Sequence, residues 1–167
     1  SALTADQKAE LALLLNEFAV VFGPMPAEPS PLLPKHTITL TDDIPVQRKP
    51  YRRNPREQAV VDQHVEDMLK AGVIEASTSA YAAPVLLVRK KSGETRFCLD
   101  YRALNEKTTV PAFPMARQDT CFQALAGKRY FSSVDLAAGF WQLAVAPEDR
   151  HKTAFATERG LYQCRKM

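Results

Sequence analysis

Asp135 closes the run Tyr130-Phe131-Ser132-Ser133-Val134, and that placement is the first feature with chemical meaning. An ionised carboxylate at the end of a buried strand loses its water and needs a cation or a hydrogen-bonding role in return. Two readings are open: Asp135 holds a metal ion, or it caps the turn Leu136-Ala137-Ala138-Gly139. Cations gather elsewhere. Arg48, Lys49, Arg52, Arg53 and Arg56 crowd one stretch, and Arg89, Lys90, Lys91, Arg96 and Arg102 another, although the net charge is only +3. Such clusters suit a polyanion, with a solvated basic face as the plainer alternative. Cys98, Cys121 and Cys164 lie 23 and 43 residues apart, which matches neither a disulfide framework nor a zinc spacing, and His36, His64 and His151 are scattered. A reducing, intracellular protein without a structural metal is expected. The chain opens on Ser1 with no leader-like segment, and no apolar run approaches the roughly 20 residues that span a bilayer, so no membrane is expected.

The elements that would position these groups follow from periodicity and punctuation. Thr4 and Gln7 form a capping-box pattern, and Leu11, Leu14, Leu15, Phe18 and Phe22 recur at helical spacing until Gly23-Pro24. Five prolines between Pro24 and Pro34 then predict an extended linker. His36 to Leu40 alternates like a half-exposed strand, and Ile44 to Arg53 is basic, proline-broken and extended. Asn54 caps a helix with Pro55 at its first position and Glu57 near its third. Val61, Val65, Met68 and Leu69 make its apolar stripe, and Gly72 supplies the left-handed stop.

Val85–Val88 and Arg96–Leu99 read as the two strands of a hairpin with a cationic tip at Lys91-Ser92-Gly93-Glu94. Beyond it come a turn near Leu104-Asn105, a helix through Cys121 to Leu125, a strand from Tyr130 to Asp135, and short strands near Lys152–Thr157 and Leu161–Cys164. Asp42-Asp43 and Glu148-Asp149, the other adjacent acidic pairs considered, fall in a loop and a polar turn and lack a flanking strand pattern.

Over residues 35 to 167 the chain resembles the reverse transcriptases of gypsy-like long-terminal-repeat retrotransposons, in several blocks and in the family order. The blocks are Val73-Ile74-Glu75-Ala76-Ser77-Thr78-Ser79 with Ala83-Pro84-Val85, then Val88-Arg89-Lys90-Lys91-Ser92-Gly93, then Arg96-Phe97-Cys98-Leu99-Asp100-Tyr101-Arg102-Ala103-Leu104-Asn105. Phe131-Ser132-Ser133-Val134-Asp135-Leu136-Ala137-Ala138-Gly139-Phe140-Trp141-Gln142 is similar to the first catalytic block, and Lys152-Thr153-Ala154-Phe155 to the next. Tyr81 stands where a tryptophan is usual, Ala116 where a second proline is, and Phe140 where many members carry tyrosine.

The resemblance implies an α+β right-hand polymerase fold, with residues 1–34 as helix and linker between protease and polymerase. Residues 35–109 would form fingers, 110–142 a partial palm, and 143–167 a return to the fingers. It implies RNA-directed DNA synthesis by a two-metal mechanism, in which Asp135 coordinates Mg²⁺ or Mn²⁺ with help from the Leu136 carbonyl. Lys90 or Lys91 together with Arg96 would meet the triphosphate of the incoming dNTP. Main-chain groups of Ala138 and Gly139 would approach the phosphates, and Phe140 would lie under the sugar and exclude a 2′-hydroxyl. Asp100 and Arg102 would lie near the template, or would simply brace the hairpin as an ion pair. The remaining partners implied are an RNA/DNA template-primer and the rest of a Pol polyprotein, in the cytoplasm.

Tyr162 to Met167 resembles the residues that lead into the family's Pro-Phe-Gly-Leu block, so the two further carboxylates, on a Tyr-x-Asp-Asp hairpin, would lie beyond this chain. A lone aspartate holds magnesium poorly, because that ion prefers several oxygen ligands. The expectation is a fragment that does not polymerise by itself and whose unpaired palm strand invites self-association. The competing expectation is a non-catalytic module that binds nucleic acid or protein through 48–56 and the hairpin.

Overall fold

The computed structural model describes residues 3–23, 28–89, 91, 93 and 95–167. Lys90 therefore lies outside the described residues, as do Ser92 and Glu94 of the hairpin loop and Pro24 and Pro26 of the linker.

Helix α1 runs Ala5–Glu17 behind the expected box, in which the Thr4 hydroxyl accepts from the Gln7 amide and the Gln7 side chain accepts from the Thr4 amide. It stops earlier than the apolar spacing predicts. Phe18 leaves helical geometry, and Ala19–Phe22 continue as a 3₁₀ turn that buries no residue. Helix α2, Pro55–Lys70, has the reciprocal Asn54–Glu57 cap, and its C-terminus is a Schellman closure. There the Val73 amide donates to the Met68 carbonyl and the Gly72 amide to the Leu69 carbonyl. Gly72 takes the left-handed φ of 62° that this closure needs. Val61, Val65 and Met68 are buried, whereas Leu69, expected in the same stripe, is 39% exposed.

The stripe of α2 packs on a five-stranded sheet. In chain order its strands are β1 (Ile74–Ala76), β2 (Ala83–Arg89), β3 (Thr95–Leu99), β4 (Phe155–Thr157) and β5 (Gly160–Cys164), and across the sheet they run β1-β5-β4-β2-β3. β2 and β3 form the expected hairpin, with Val85 opposite Leu99 and Val88 opposite Arg96. Gly93 in its loop has φ 89°. The one parallel pairing sets Ala83 against Phe155 and Pro84 against Ala156, so two parts of the chain some seventy residues apart share one sheet. Phe155, Val61, Val85 and Val145, all fully buried, form the centre of the core with Val65, Ile74 and Cys164. His36 to Leu40, expected as a strand, makes only single bridges, His36 to Val145 and Leu40 to Thr108.

Lys152–Thr157 was expected as a strand, but a 3₁₀ helix, Pro147–Thr153, occupies its first half and β4 begins at Phe155. That helix carries Asp149, which is buried rather than part of a solvated turn. One Asp149 oxygen accepts from the Ile38 amide at 2.9 Å and the other from the Lys152 ammonium at 2.6 Å. Burial pushes this carboxyl up, but the Lys152 and Ile38 hydrogen bonds outweigh it, and the group is held below the usual carboxylate range. Lys152 also donates to the Ile38 carbonyl at 2.7 Å, which clamps the incoming chain to the sheet.

The main correction concerns residues 130–135. They form no strand, and every side chain from 129 to 138 is exposed, Asp135 included. Among the described residues no amide from 129 to 137 donates a hydrogen bond. A strand exists only with a neighbour to complete its ladder, and no described strand lies beside this one. Helix α4, Gln118–Leu125, precedes it and buries nothing; Phe122 is 68% exposed. No helix among the described residues is long and apolar enough to cross a membrane.

Two outcomes are expected. Hydrogen exchange should find the amides of residues 129–137 unprotected while those of β2 and β3 resist exchange; protection throughout 130–135 would mean that the strand forms after all. Asp149→Asn should cost about 3 kcal/mol in urea denaturation, because it strands the half-buried Lys152 charge.

Candidate functional site

Three groups of residues compose the site. The first is the β2–β3 hairpin, whose antiparallel ladder carries Lys91 in the loop and Arg96 on β3, both exposed. Neither makes an ion pair among the described residues. They are available to an anionic ligand.

The second group follows directly from β3. Asp100 sits where the strand ends, its amide bonded to the Pro84 carbonyl, and α3 (Arg102–Asn105) starts two residues on. Arg102 chelates Asp100 through two parallel bonds, Nε to Oδ1 at 2.8 Å and Nη2 to Oδ2 at 2.7 Å. Tyr51 donates from its hydroxyl to the same carboxylate at 3.2 Å. The Asp100 side chain is 9% exposed and the Arg102 side chain 79%, so the acid anchors the base and the guanidinium faces outward. The Arg102 hydrogen bonds, opposed by partial burial, hold the Asp100 carboxyl well below the usual carboxylate range. An open pocket of about 260 Å³ is lined by Arg48, Tyr51, Asp100, Arg102, Ala103 and Glu106. Tyr51 and Glu106 were not picked out from sequence. Tyr51 lies in the basic stretch, but only the fold brings it to Asp100.

The third group is Asp135 to Phe140. Asp135 is exposed and its side chain has no hydrogen-bond partner among the described residues. It is not a cap either: the 3₁₀ turn Gly139–Gln142 begins after Ala138 and has no side-chain cap. Ala138 adopts the left-handed conformation, φ 46° and ψ 48°, which costs a side-chain-bearing residue about 1 kcal/mol. Gln142 Nε2 donates to the Ala137 carbonyl at 2.9 Å and the Trp141 amide to the Ala138 carbonyl at 2.8 Å, which closes the turn. A Cβ at Gly139 would come within 3.3 Å of the Leu136 side chain, so a larger residue is crowded there. Phe140 is 78% exposed and is no core aromatic.

The fold gathers the first two groups on one hairpin and its continuation, and among the described residues no hydrogen bond or ion pair ties Asp135 to either. Asp135 with the Leu136 carbonyl offers three oxygens from two adjacent residues and a single carboxylate charge, so at least half of magnesium's six positions would be left to water. Among the described residues no three His, Cys, Asp or Glu side chains come together as a metal site. The residues present therefore do not fit a self-sufficient magnesium centre.

This geometry has close relatives. The chain is 32% identical over 168 residues to the retrovirus-related Pol polyprotein from transposon 412 of Drosophila melanogaster, covering 96% of this chain and 14% of that polyprotein. It is 33% identical over 136 residues to the Pol polyprotein from transposon gypsy of the same organism, covering 77% of this chain and 13% of that one. The prototype foamy virus protease-reverse transcriptase superposes with a TM-score of 0.80 at 27% identity, over 100% of this chain and 23% of that one. The chain fits a reverse transcriptase domain fragment of gypsy-like, retrovirus-related Pol polyproteins. Its α+β fold is that of a reverse transcriptase's fingers and partial palm. A foamy virus protease-reverse transcriptase in complex with RNA/DNA hybrid also superposes, with a TM-score of 0.80 at 25% identity, again covering 100% of this chain and 23% of that one. No family model matches the chain. The chain spans between 13% and 20% of the length of curated relatives it matches, 14% in the case of transposon 412.

Asp100 provides a titration test. Its carboxyl favours the ionised form in the folded state, so the stability it adds is complete above the unfolded aspartate value of about 3.9 and is lost as pH falls through its lower folded value. Carboxyl carbon shifts should show Asp100 still ionised at about pH 3, and Arg102→Ala should return its midpoint toward about 3.9. A midpoint near 4 in the unaltered chain would mean that the chelate does not persist in solution.

Proposed function

We propose that this chain supplies the nucleotide- and template-facing part of an RNA-directed DNA polymerase, with residues 35–109 as fingers, 110–142 as the start of the palm and 143–167 returning to the fingers. Residues 1–34 are read as the connection from a preceding protease. The observation that carries the reading is the pairing of Lys91 and Arg96, two cations without an ion-pair partner among the described residues, on a hairpin whose continuation displays Arg102.

On this reading the incoming dNTP lies against the hairpin. Lys91 and Arg96 donate charge-assisted hydrogen bonds to its triphosphate; Lys90 is assigned the same role from sequence alone. The left-handed turn at Ala138 lets main-chain groups of Ala138 and Gly139 come close to the phosphates without a bulky side chain between. Phe140 sets its ring against the sugar, where a 2′-hydroxyl has no room. Arg102, held by Asp100, meets the template strand. Asp135 and the Leu136 carbonyl contribute metal-facing oxygens, but the donor set is short, so no chemical step is assigned to the isolated chain. The missing carboxylates come from the rest of the Pol polyprotein.

The same polyprotein would cover the apolar side chains left bare between 110 and 140, among them Val110, Phe113, Met115, Phe131 and Val134. Without that cover the isolated chain self-associates.

Primer extension tests the reading. The isolated chain should add no nucleotide to a DNA primer on RNA, with magnesium or manganese. A chimera in which this chain replaces the matching stretch of the foamy virus enzyme should extend the primer, and Asp135→Asn should return it to background. In that chimera Lys91→Ala or Arg96→Ala should each lower kcat/KM for dNTP by about 100-fold, and Phe140→Val should raise ribonucleotide incorporation. Extension that survives Asp135→Asn, or synthesis by the isolated chain, would overturn the assignment.

A further inference from the structure

β3 stands at one end of the strand order and has a single strand neighbour, β2, yet it carries Arg96, on which the nucleotide reading depends. Register decides where that side chain points. Arg96 lies opposite Val88 and Phe97 opposite Leu87, and successive side chains of a strand leave on opposite faces. Arg96 is accordingly exposed, and Phe97 is half-buried against the core. A slip of one residue would exchange the two and turn the guanidinium inward. Register is held where one face of a strand is buried, and the bulkiest side chain on the inner face of β3 is Phe97.

The Phe97 ring meets two others. His64 of α2 lies 5.6 Å away between ring centroids, at an interplanar angle of 47°, and Phe155 of β4 lies 6.0 Å away, edge to face at 73°. Phe155, fully buried, in turn meets Tyr162 of β5 at 5.9 Å. A file of four rings thus runs from the helix across the sheet and ties β3 to elements that do not share its ladder. Tilted and edge-to-face pairs at these separations are attractive and directional. His64 occupies the outer place in the file. It sits on α2 between Val61 and Val65, flanking the buried stripe, and is itself half-buried. Among the described residues its side chain makes no hydrogen bond or ion pair, and the interaction it does make is with the Phe97 ring.

We propose that His64 and Phe97 are positioning residues for the triphosphate site: the His64 ring on α2 holds the Phe97 ring, and Phe97 fixes the face and pitch of β3 from which Arg96 reaches a polyphosphate. This rests on the reading of Arg96 as a triphosphate ligand and deepens it. Neither ring touches the ligand. Their contribution is to spare the arginine the cost of finding its direction when the anion arrives, which is how a cation on a supported strand grips better than one on a loose strand.

Titration of the full 167-residue chain with inorganic tripolyphosphate, followed by amide NMR shifts, tests this. Arg96→Ala should weaken binding by about tenfold or more. His64→Ala should weaken it by about 3- to 10-fold, and Phe97→Leu by a similar factor, which is one aromatic contact expressed as a ratio of dissociation constants. His64→Phe keeps a ring and carries no charge, so it should bind as the original does; this separates orientation from a direct imidazole contact with phosphate. The double variant His64→Ala with Arg96→Ala should bind no worse than Arg96→Ala alone, because His64 acts through the arginine, whereas a general loss of packing would add to the loss. If Phe97→Leu unfolds, His64→Ala, at a half-buried site, carries the test. Unchanged affinity in His64→Ala, additive losses in the double variant, or a His64→Phe chain as weak as His64→Ala would overturn the positioning role. If Arg96→Ala weakens binding and His64→Ala does not, the positioning role alone fails. If Arg96→Ala leaves tripolyphosphate affinity unchanged, the triphosphate assignment of Arg96 fails and the positioning role falls with it.

Discussion

The parallel pairing of Ala83 and Pro84 with Phe155 and Ala156 governs the rest of the molecule. It brings the chain back to its first sheet after a long excursion and seats the fully buried Phe155 against the core. A short parallel contact is a weak device by itself. Here it is reinforced by β5, which pairs with both β4 and β1, and by the Asp149–Lys152 clamp on Ile38. The Thr153 hydroxyl adds a bond from the Cys164 amide at 2.8 Å, and the buried Tyr101 hydroxyl donates to the Thr153 carbonyl at 2.7 Å. Two distant stretches are thereby locked together, and everything between Val110 and Ala138 is left outside the lock.

That division explains the site. Cations on β3 and its continuation are displayed from a rigid support, and so is the chelated Arg102. Asp135 is displayed from a segment with no ladder and no packing, although the turn that follows it is closed by Gln142 and Trp141. The backbone that carries the proposed ligand-gripping groups is fixed on this chain, whereas the carboxylate proposed to face a metal has its direction set by nothing within the described residues.

What could be read from the residues divides along the same line. The α2 helix was legible because its cap, stripe and stop are local and mutually consistent, down to Gly72. The hairpin was legible for the same reason. Tyr130–Asp135 has the composition of a strand, but whether it becomes one depends on neighbours, and composition does not report neighbours. Asp149 was missed because Glu148-Asp149 looks like solvated polarity until the Lys152 and Ile38 contacts bury it. Tyr51 was missed because its partner is 49 residues away. The metal reading of Asp135 began from a buried strand end that does not form, and with the aspartate exposed it rests on family resemblance.

On the proposed reading Asp135 is one part of an incomplete metal ligand set, on a scaffold that holds cations for a nucleotide. Paramagnetic broadening by manganese in amide NMR spectra of the isolated chain measures this directly. Broadening around Asp135 and Leu136 should appear only at about millimolar ion, the weak end of oxygen-ligand affinities. Two ions held there at micromolar concentration, with Asp135→Asn removing both, would contradict it.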